Sequence, residues 1–316
     1  MTMEYAELGQ GGPAVSRLGL GCEPLGGTDW GSVDARQAAA AVGRALDLGI
    51  TLFDTADVYG LGRSEERLSE ALGQRRHEVV IVSKFGVAWE SDEGGGRAKT
   101  RRDCSPAHVR AALEASLRRL RLERVPVYLI HWPDPATPVA DTMAALLQCQ
   151  SEGKIGVIGV SNFPTALVAE ARRSGPVTAI EVSYSLIDRA AEQELLPDAR
   201  AARAGVIAYG TLAQGLLGGR YGPDSRFGED DRRHRLAHFA PDAWPRNREL
   251  LGRLERTARE IGHGVAEVAI RWVLEHSAVT CAIVGARSPG QVEANARALG
   301  WRLDPGSRQF LCASAP

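Results

Sequence analysis

Short apolar runs alternate with longer stretches of helical periodicity along most of this 316-residue chain, and that alternation restricts the fold more than any other feature. Strands are predicted at 18–21, 50–53, 79–83, 127–130, 155–160, 177–182, 205–209 and 281–284. The stretches between them predict helices at 34–48, 62–72, 105–120, 139–151, 164–173 and 191–203, with two more, 246–261 and 265–275, before the last strand. Several ends are marked: Asp34 caps the first helix, Gly49 terminates it, and Ser105-Pro106 is a capping residue followed by a proline suited to the first helical position. Strands joined through helices pair in parallel, and eight of them close into a barrel. The expected class is α/β, a single (β/α)8 TIM barrel domain over residues 1–316. An N-terminal β-hairpin turning at Gly9-Gln10-Gly11-Gly12-Pro13 precedes it, and long loops at 87–103 and 210–244 lie over the C-terminal face. The first of these loops, with Trp89 and Gly94-Gly95-Gly96, reads as polar and mobile.

In such a barrel the carboxyl ends of the strands face the active site. The strand at 50–53 runs into Asp54, with Tyr59 five residues on; the next ends in Lys84, and the next in His131. Lys84 is conspicuous because, of 38 basic residues, only Lys84, Lys99 and Lys154 are lysines. Three consecutive strands thus deliver an acid, a phenol, an amine and an imidazole to one spot. Cys22-Glu23-Pro24-Leu25-Gly26-Gly27 is not a dinucleotide fingerprint, since Pro24 interrupts it and no helix opens until about Val33-Asp34.

A net charge of −1 offers no general attraction for nucleic acid or an anionic membrane. Five cysteines without C-x-x-C spacing read as free thiols in a reducing compartment, with no zinc site. The first residues lack a signal-peptide pattern and no apolar run is long enough to span a bilayer, so the expected location is cytoplasmic. No surface feature identifies an oligomer interface.

Phe53-Asp54-Thr55-Ala56 with Tyr59-Gly60, Ser83-Lys84-Phe85-Gly86, His131-Trp132-Pro133, Gly159-Val160-Ser161-Asn162-Phe163 and Ile283-Val284-Gly285-Ala286-Arg287-Ser288 follow one another in an order that resembles the aldo-keto reductase superfamily over nearly the whole chain. The resemblance implies a catalytic tetrad of Asp54, Tyr59, Lys84 and His131. Tyr59 would donate the proton, its pKa lowered by Lys84; Asp54 would hold Lys84, and His131 would hydrogen-bond the substrate oxygen. It also implies Ser161 and Asn162 on the nicotinamide carboxamide, Tyr209 stacked on its ring, and Gly285, Arg287, Ser288, Gln291 and Asn295 around the adenosine 2′-phosphate and adenine. Arg287 favours NADP(H) over NAD(H). Trp30, Trp89 and Trp132 would line the substrate pocket. Glu181 departs from the family pattern, which has glutamine there: a carboxylate only accepts hydrogen bonds, and its charge favours the cationic oxidised nicotinamide unless it is protonated. The expected function is NADPH-dependent reduction of an aldehyde or ketone, a sugar or a bulky biosynthetic ketone among the candidates. The alternatives are a sugar dehydrogenase working oxidatively, a cofactor-binding regulatory subunit of the same fold, or a non-redox barrel.

Overall fold

A computed structural model describes residues 2–90 and 98–313 of the chain. In chain order its elements begin with the hairpin strands β1 (Tyr5–Glu7) and β2 (Ala14–Ser16), then β3 (Leu18–Gly21), α1 (Ala35–Asp47), β4 (Leu52–Asp54), α2 (Arg63–Leu72) and β5 (Val80–Phe85). Next come β6 (Val87–Trp89), β7 (Thr100–Arg102), α3 (Pro106–Leu120), β8 (Val125–Ile130), α4 (Val139–Ser151), β9 (Ile155–Ser161), α5 (Thr165–Ser174), β10 (Ala179–Ser183), α6 (Leu195–Ala201) and β11 (Gly205–Tyr209). The chain finishes with α7 (Trp244–Ile261), α8 (Val265–Leu274), β12 (Val279–Gly285), α9 (Pro289–Ala296) and α10 (Pro305–Cys312). Among the described residues β3, β4, β5, β8, β9, β10, β11 and β12 pair in parallel, each with its successor and β12 with β3, so the sheet closes as the alternation predicts. The caps read from sequence are in place: Asp34 accepts from the N–H groups of Arg36 and Gln37, and the Ser105 side chain accepts from His108.

Two apolar layers follow from the two faces of the strands. Outward residues pack against the helices. Inward residues Leu52, Val82, Val127, Leu129, Ala179, Ile207, Cys281 and Ile283 form a separate cluster in the lumen, which Leu8 and Val15 of the hairpin close from below. The plug is tied to the lower rim by charge: fully buried Arg271 reaches Glu4 at 2.8 Å and Glu275 at 2.7 Å, and Arg17 donates to the carbonyls of Leu274 and Val279. Leu8 is fully buried, so Leu8→Ala should lower unfolding stability by about 2–3 kcal/mol. Urea unfolding reads the loss; an unchanged midpoint would mean that the hairpin does not seal the barrel.

Two expectations are corrected. The stretch 87–103 is not all loop: β6 and β7 pair antiparallel, Val87 opposite Arg102 and Trp89 opposite Thr100. Its Gly94, Gly95 and Gly96 lie outside the described residues. The helix expected at 191–203 is a 3-10 turn, Ala190–Glu192, followed by the shorter α6. Pro197 explains the break, because a proline is tolerated in a first helical turn and not inside a helix. Among the described residues no helix is long and apolar enough to cross a membrane.

Candidate active site

Period two carries each lumen-facing strand position upward, and at the top layer the residues change from apolar to polar. Leu52 is followed two residues on by Asp54, Val82 by Lys84, Leu129 by His131, Gly159 by Ser161, Ala179 by Glu181 and Ile207 by Tyr209. Gly159 is small by necessity, since a Cβ there would lie 2.3 Å from the Ala179 carbonyl oxygen. The structure therefore brings the predicted acid, amine and imidazole to one end of the barrel, together with the serine, glutamate and tyrosine from its other side.

Lys84 is the centre of this layer. It is fully buried, and its ammonium donates to Asp54 at 2.5 Å and to the Thr55 carbonyl at 3.0 Å. Burial alone would lower its pKa, but the Asp54 and Glu181 carboxyls outweigh that and hold it well above the ordinary lysine value. Tyr59 sits on the turn after β4, its ring 5.1 Å from the ammonium and 5.7 Å from the His131 ring, edge to face. Gly60 fixes that turn: its φ is +61°, and a Cβ would fall 2.3 Å from the Gly26 carbonyl oxygen. The expected lowering of the Tyr59 pKa does not hold in the free protein. Burial pushes the phenol well above its ordinary value and Lys84 only pulls against that shift. His131 is held neutral, its pKa well below the usual value because of burial and then of the Lys84 charge. Its backbone is pinned by the N–H to the Phe85 carbonyl at 2.8 Å.

A hydrogen-bonded row crosses the other side of the layer. The Tyr209 hydroxyl donates to Asn162 Oδ1 at 2.6 Å, Asn162 Nδ2 donates to Ser161 Oγ at 3.0 Å and to the His131 carbonyl at 2.9 Å, and Ser161 Oγ donates to Glu181 Oε1 at 3.2 Å. Glu181 Oε2 lies 3.4 Å from Lys84 Nζ, so the row joins the ammonium. Sequence reasoning had Glu181 in the row but missed its contact with Lys84, which exists only because the barrel closes.

At the end of β12, Gly285 is exposed and opens onto the start of α9. The Arg287 N–H donates to Gln291 Oε1 at 2.7 Å, and its guanidinium donates to the Trp30 carbonyl at 3.2 Å. Ser288 is the residue before α9, and Asn295, on the same helix, is buried. Trp30 lies under residues 210–244, which fold as 3-10 turns within a strap. It bridges Asp231 as an isolated β-pair, and the Arg232 and Arg233 guanidiniums lie over its ring at 5.7 and 5.9 Å. Arg232 also pairs with Glu23, and Arg235 with Asp29 at 3.1 Å. None of these clasp pairings was legible, because each joins segments more than 200 residues apart. Trp132 lies beside His131, 37% exposed, with the Arg102 guanidinium 4.5 Å above its ring; Trp89 is half-buried on β6 of the same hairpin as Arg102.

Behind the layer is a group that sequence reasoning passed over, although it lies between Asp54 and Tyr59 in the chain. Asp57 is 1% exposed, its N–H donates to the Lys84 carbonyl at 3.3 Å, and burial followed by the charge of Glu65 pushes its carboxyl well above the ordinary value. Glu65 itself is satisfied by Ser83 and Arg119, both at 2.6 Å.

Comparison with known proteins gives matches along almost all of the chain. The model of the Aldo/keto reductase family matches residues 17–308. The chain is 33% identical over 305 residues to Aldo-keto reductase YhdN of Bacillus subtilis, covering 96% of this chain and 90% of that one. It is 39% identical over 319 residues to the uncharacterized oxidoreductase Rv2298 of Mycobacterium tuberculosis, covering 99% and 93%. Among solved structures it is similar to the glycerol dehydrogenase AKR11B4 from Gluconobacter oxydans, with a TM-score of 0.89 at 35% identity, covering 97% of this chain and 93% of that one.

Proposed function

The chain belongs to the aldo/keto reductase family and is an oxidoreductase acting on carbonyl or alcohol groups, and from that premise we propose that it reduces an aldehyde or ketone with NADPH at the polar layer around Lys84. One observation carries the reading: a buried Lys84–Asp54 ion pair, 2.5 Å long, lies beneath a tyrosine and a neutral histidine at the carboxyl end of the barrel.

When bound, the reduced nicotinamide supplies the hydride that the carbonyl carbon takes up. Tyr59 donates its phenolic proton to the carbonyl oxygen as negative charge develops there. Lys84 stabilises the phenolate that this leaves, and Asp54 keeps the ammonium charged and in position. The neutral His131 imidazole donates a hydrogen bond to the same oxygen, orienting the substrate and sharing its charge. Trp30, Trp89 and Trp132 are the aromatic groups proposed to line the substrate space.

The residues fit a nicotinamide nucleotide. Ser161, Asn162 and Glu181 form a polar row able to hold the carboxamide, with the half-buried Tyr209 ring at its end for stacking. Gly285 leaves open space before α9, where a Cβ would meet nothing nearer than 3.9 Å. There the Gly290 N–H, the Ser288 hydroxyl and the Arg287 guanidinium suit a phosphate, and Gln291 and Asn295 suit the adenine end. Arg287 uses one contact on Trp30 and has further donors for a 2′-phosphate.

A titration with NADPH and NADH, followed by tryptophan fluorescence, tests this. NADPH should bind more tightly, and Arg287→Ala should weaken NADPH by about tenfold or more while leaving NADH nearly unchanged. Failure of either nucleotide to bind would remove the basis of the proposal. Oxidation of a polyol or sugar is the second reading, favoured by the similarity to a glycerol dehydrogenase and by Glu181, whose ionised form would attract the oxidised ring.

A further inference from the structure

Glu181 stands level with Ser161 across the β9–β10 pairing and is 3% exposed. Its two oxygens face different groups: Oε1 accepts from Ser161 at 3.2 Å, and Oε2 lies 3.4 Å from the Lys84 ammonium. Lys84 makes its shorter contact, 2.5 Å, to Asp54. One ammonium therefore serves two carboxyl groups in a space closed to water. If both were ionised, the cluster would bury a net negative charge, which desolvation penalises heavily. A proton retained by one carboxyl and shared with the other removes that charge. Asp54 has the closer contact with the ammonium, so Glu181 is the group that keeps the proton.

The titratable and charged groups facing Glu181 narrow the assignment. They are Asp54 from β4, Tyr59 from the turn after it, Lys84 from β5 and Tyr209 from β11. Burial holds both phenols protonated, Tyr209 pushed up to about 12, and Lys84 stays charged. Of the two carboxyls, Asp54 is held by the closer ammonium contact, and Glu181 is left as the group that titrates near neutrality. Burial and then the charge of Asp54 push Glu181 up to about 8.

Glu181 also joins two halves of the site. On one side is the ammonium beneath Tyr59; on the other is the row of Ser161, Asn162 and Tyr209 assigned above to the nicotinamide. We propose that Glu181 is the specificity-determining residue for the cofactor's redox state: neutral, it tolerates the reduced form, and ionised, it attracts the cationic oxidised ring. Rising pH then shifts the site from holding NADPH toward holding NADP+, and from carbonyl reduction toward alcohol oxidation. The inference rests on the nicotinamide reading of the site. By linkage the effect is reciprocal, so binding of NADP+ promotes ionisation of Glu181 and releases a proton to solution.

The test measures dissociation constants of NADP+ and NADPH from about pH 6 to 9, for the parent and for Glu181→Gln, with proton release followed by an indicator dye in weak buffer. The parent should gain about tenfold or more in preference for NADP+ over NADPH as pH rises, and should release a proton on binding NADP+ near neutrality. Glu181→Gln should hold its preference within about twofold and release none. A parent preference independent of pH, or a titration that persists in Glu181→Gln, would overturn the inference while nucleotide binding itself still stood. If neither nucleotide binds the parent, the nicotinamide reading and this inference fall together.

Discussion

Tyr59→Phe should lower kcat for carbonyl reduction by roughly 10²–10⁴-fold and leave the nucleotide dissociation constants nearly unchanged. The substitution isolates the proton. Phenylalanine keeps the ring that packs edge to face against His131 at 5.7 Å and lies 5.1 Å from the Lys84 ammonium, so the packing of the site is retained. Only the hydroxyl is removed, and with it the group proposed to protonate the developing alkoxide. Stopped-flow oxidation of bound NADPH by an excess of aldehyde reads the step directly. A variant that turns over at the parent rate would mean that the proton comes from another group, with His131 the next to be replaced.

Lys84→Met should cost about 3–5 kcal/mol of stability near pH 8, because it removes the ammonium and leaves buried carboxyl groups unpaired. The sign of the pH dependence separates this cause from simple misfit. Burial already raises Asp54 and Glu181 above their ordinary values in the parent, and without Lys84 both rise further. For carboxyls whose folded pKa exceeds the unfolded one, the favourable contribution is complete below the unfolded value and is lost as pH rises through the folded value. The variant should therefore recover much of its stability, relative to the parent, between about pH 8 and pH 5. Adding Asp54→Asn should restore part of the loss at pH 8, since the two residues are in direct contact and their effects cannot simply add. Urea unfolding at the two pH values measures all three proteins. A loss equal at both would show that methionine fails by shape and that charge is not the cause.

The legible part of this molecule is the part set by short apolar runs, helical periodicity and local turn chemistry. Asp54, Lys84 and His131 could be placed at strand ends because each closes a short, largely apolar run, and the N-terminal hairpin was visible in the turn from Gly9 to Pro13. The β6–β7 hairpin was not visible because Thr100, Arg101 and Arg102 are all exposed and carry no alternation of apolar and polar residues. Contacts made across the closed barrel were equally hidden. Lys84 and Glu181 lie on strands separated by β8 and β9, and only closure sets them 3.4 Å apart. The same holds for Trp30 and Asp231, which clasp the strap to the loop after β3. Ionisation was the least accessible property. The lowering of the Tyr59 pKa expected from Lys84 neglected burial, which is the larger effect in the free protein.

Central to the account is that the layer around Lys84 moves hydrogen between a nicotinamide and a carbonyl carbon, with Tyr59 handling the proton. The direct measurement follows deuterium from NADPH labelled at the nicotinamide C4 into the alcohols formed from a panel of aldehydes, ketones and sugars, with the parent and Tyr59→Phe run side by side. Deuterium on the carbinol carbon, appearing roughly 10²-fold or more slowly in Tyr59→Phe, is the predicted result. Absence of label across the panel despite nucleotide binding, or equal rates in the two proteins, would contradict it.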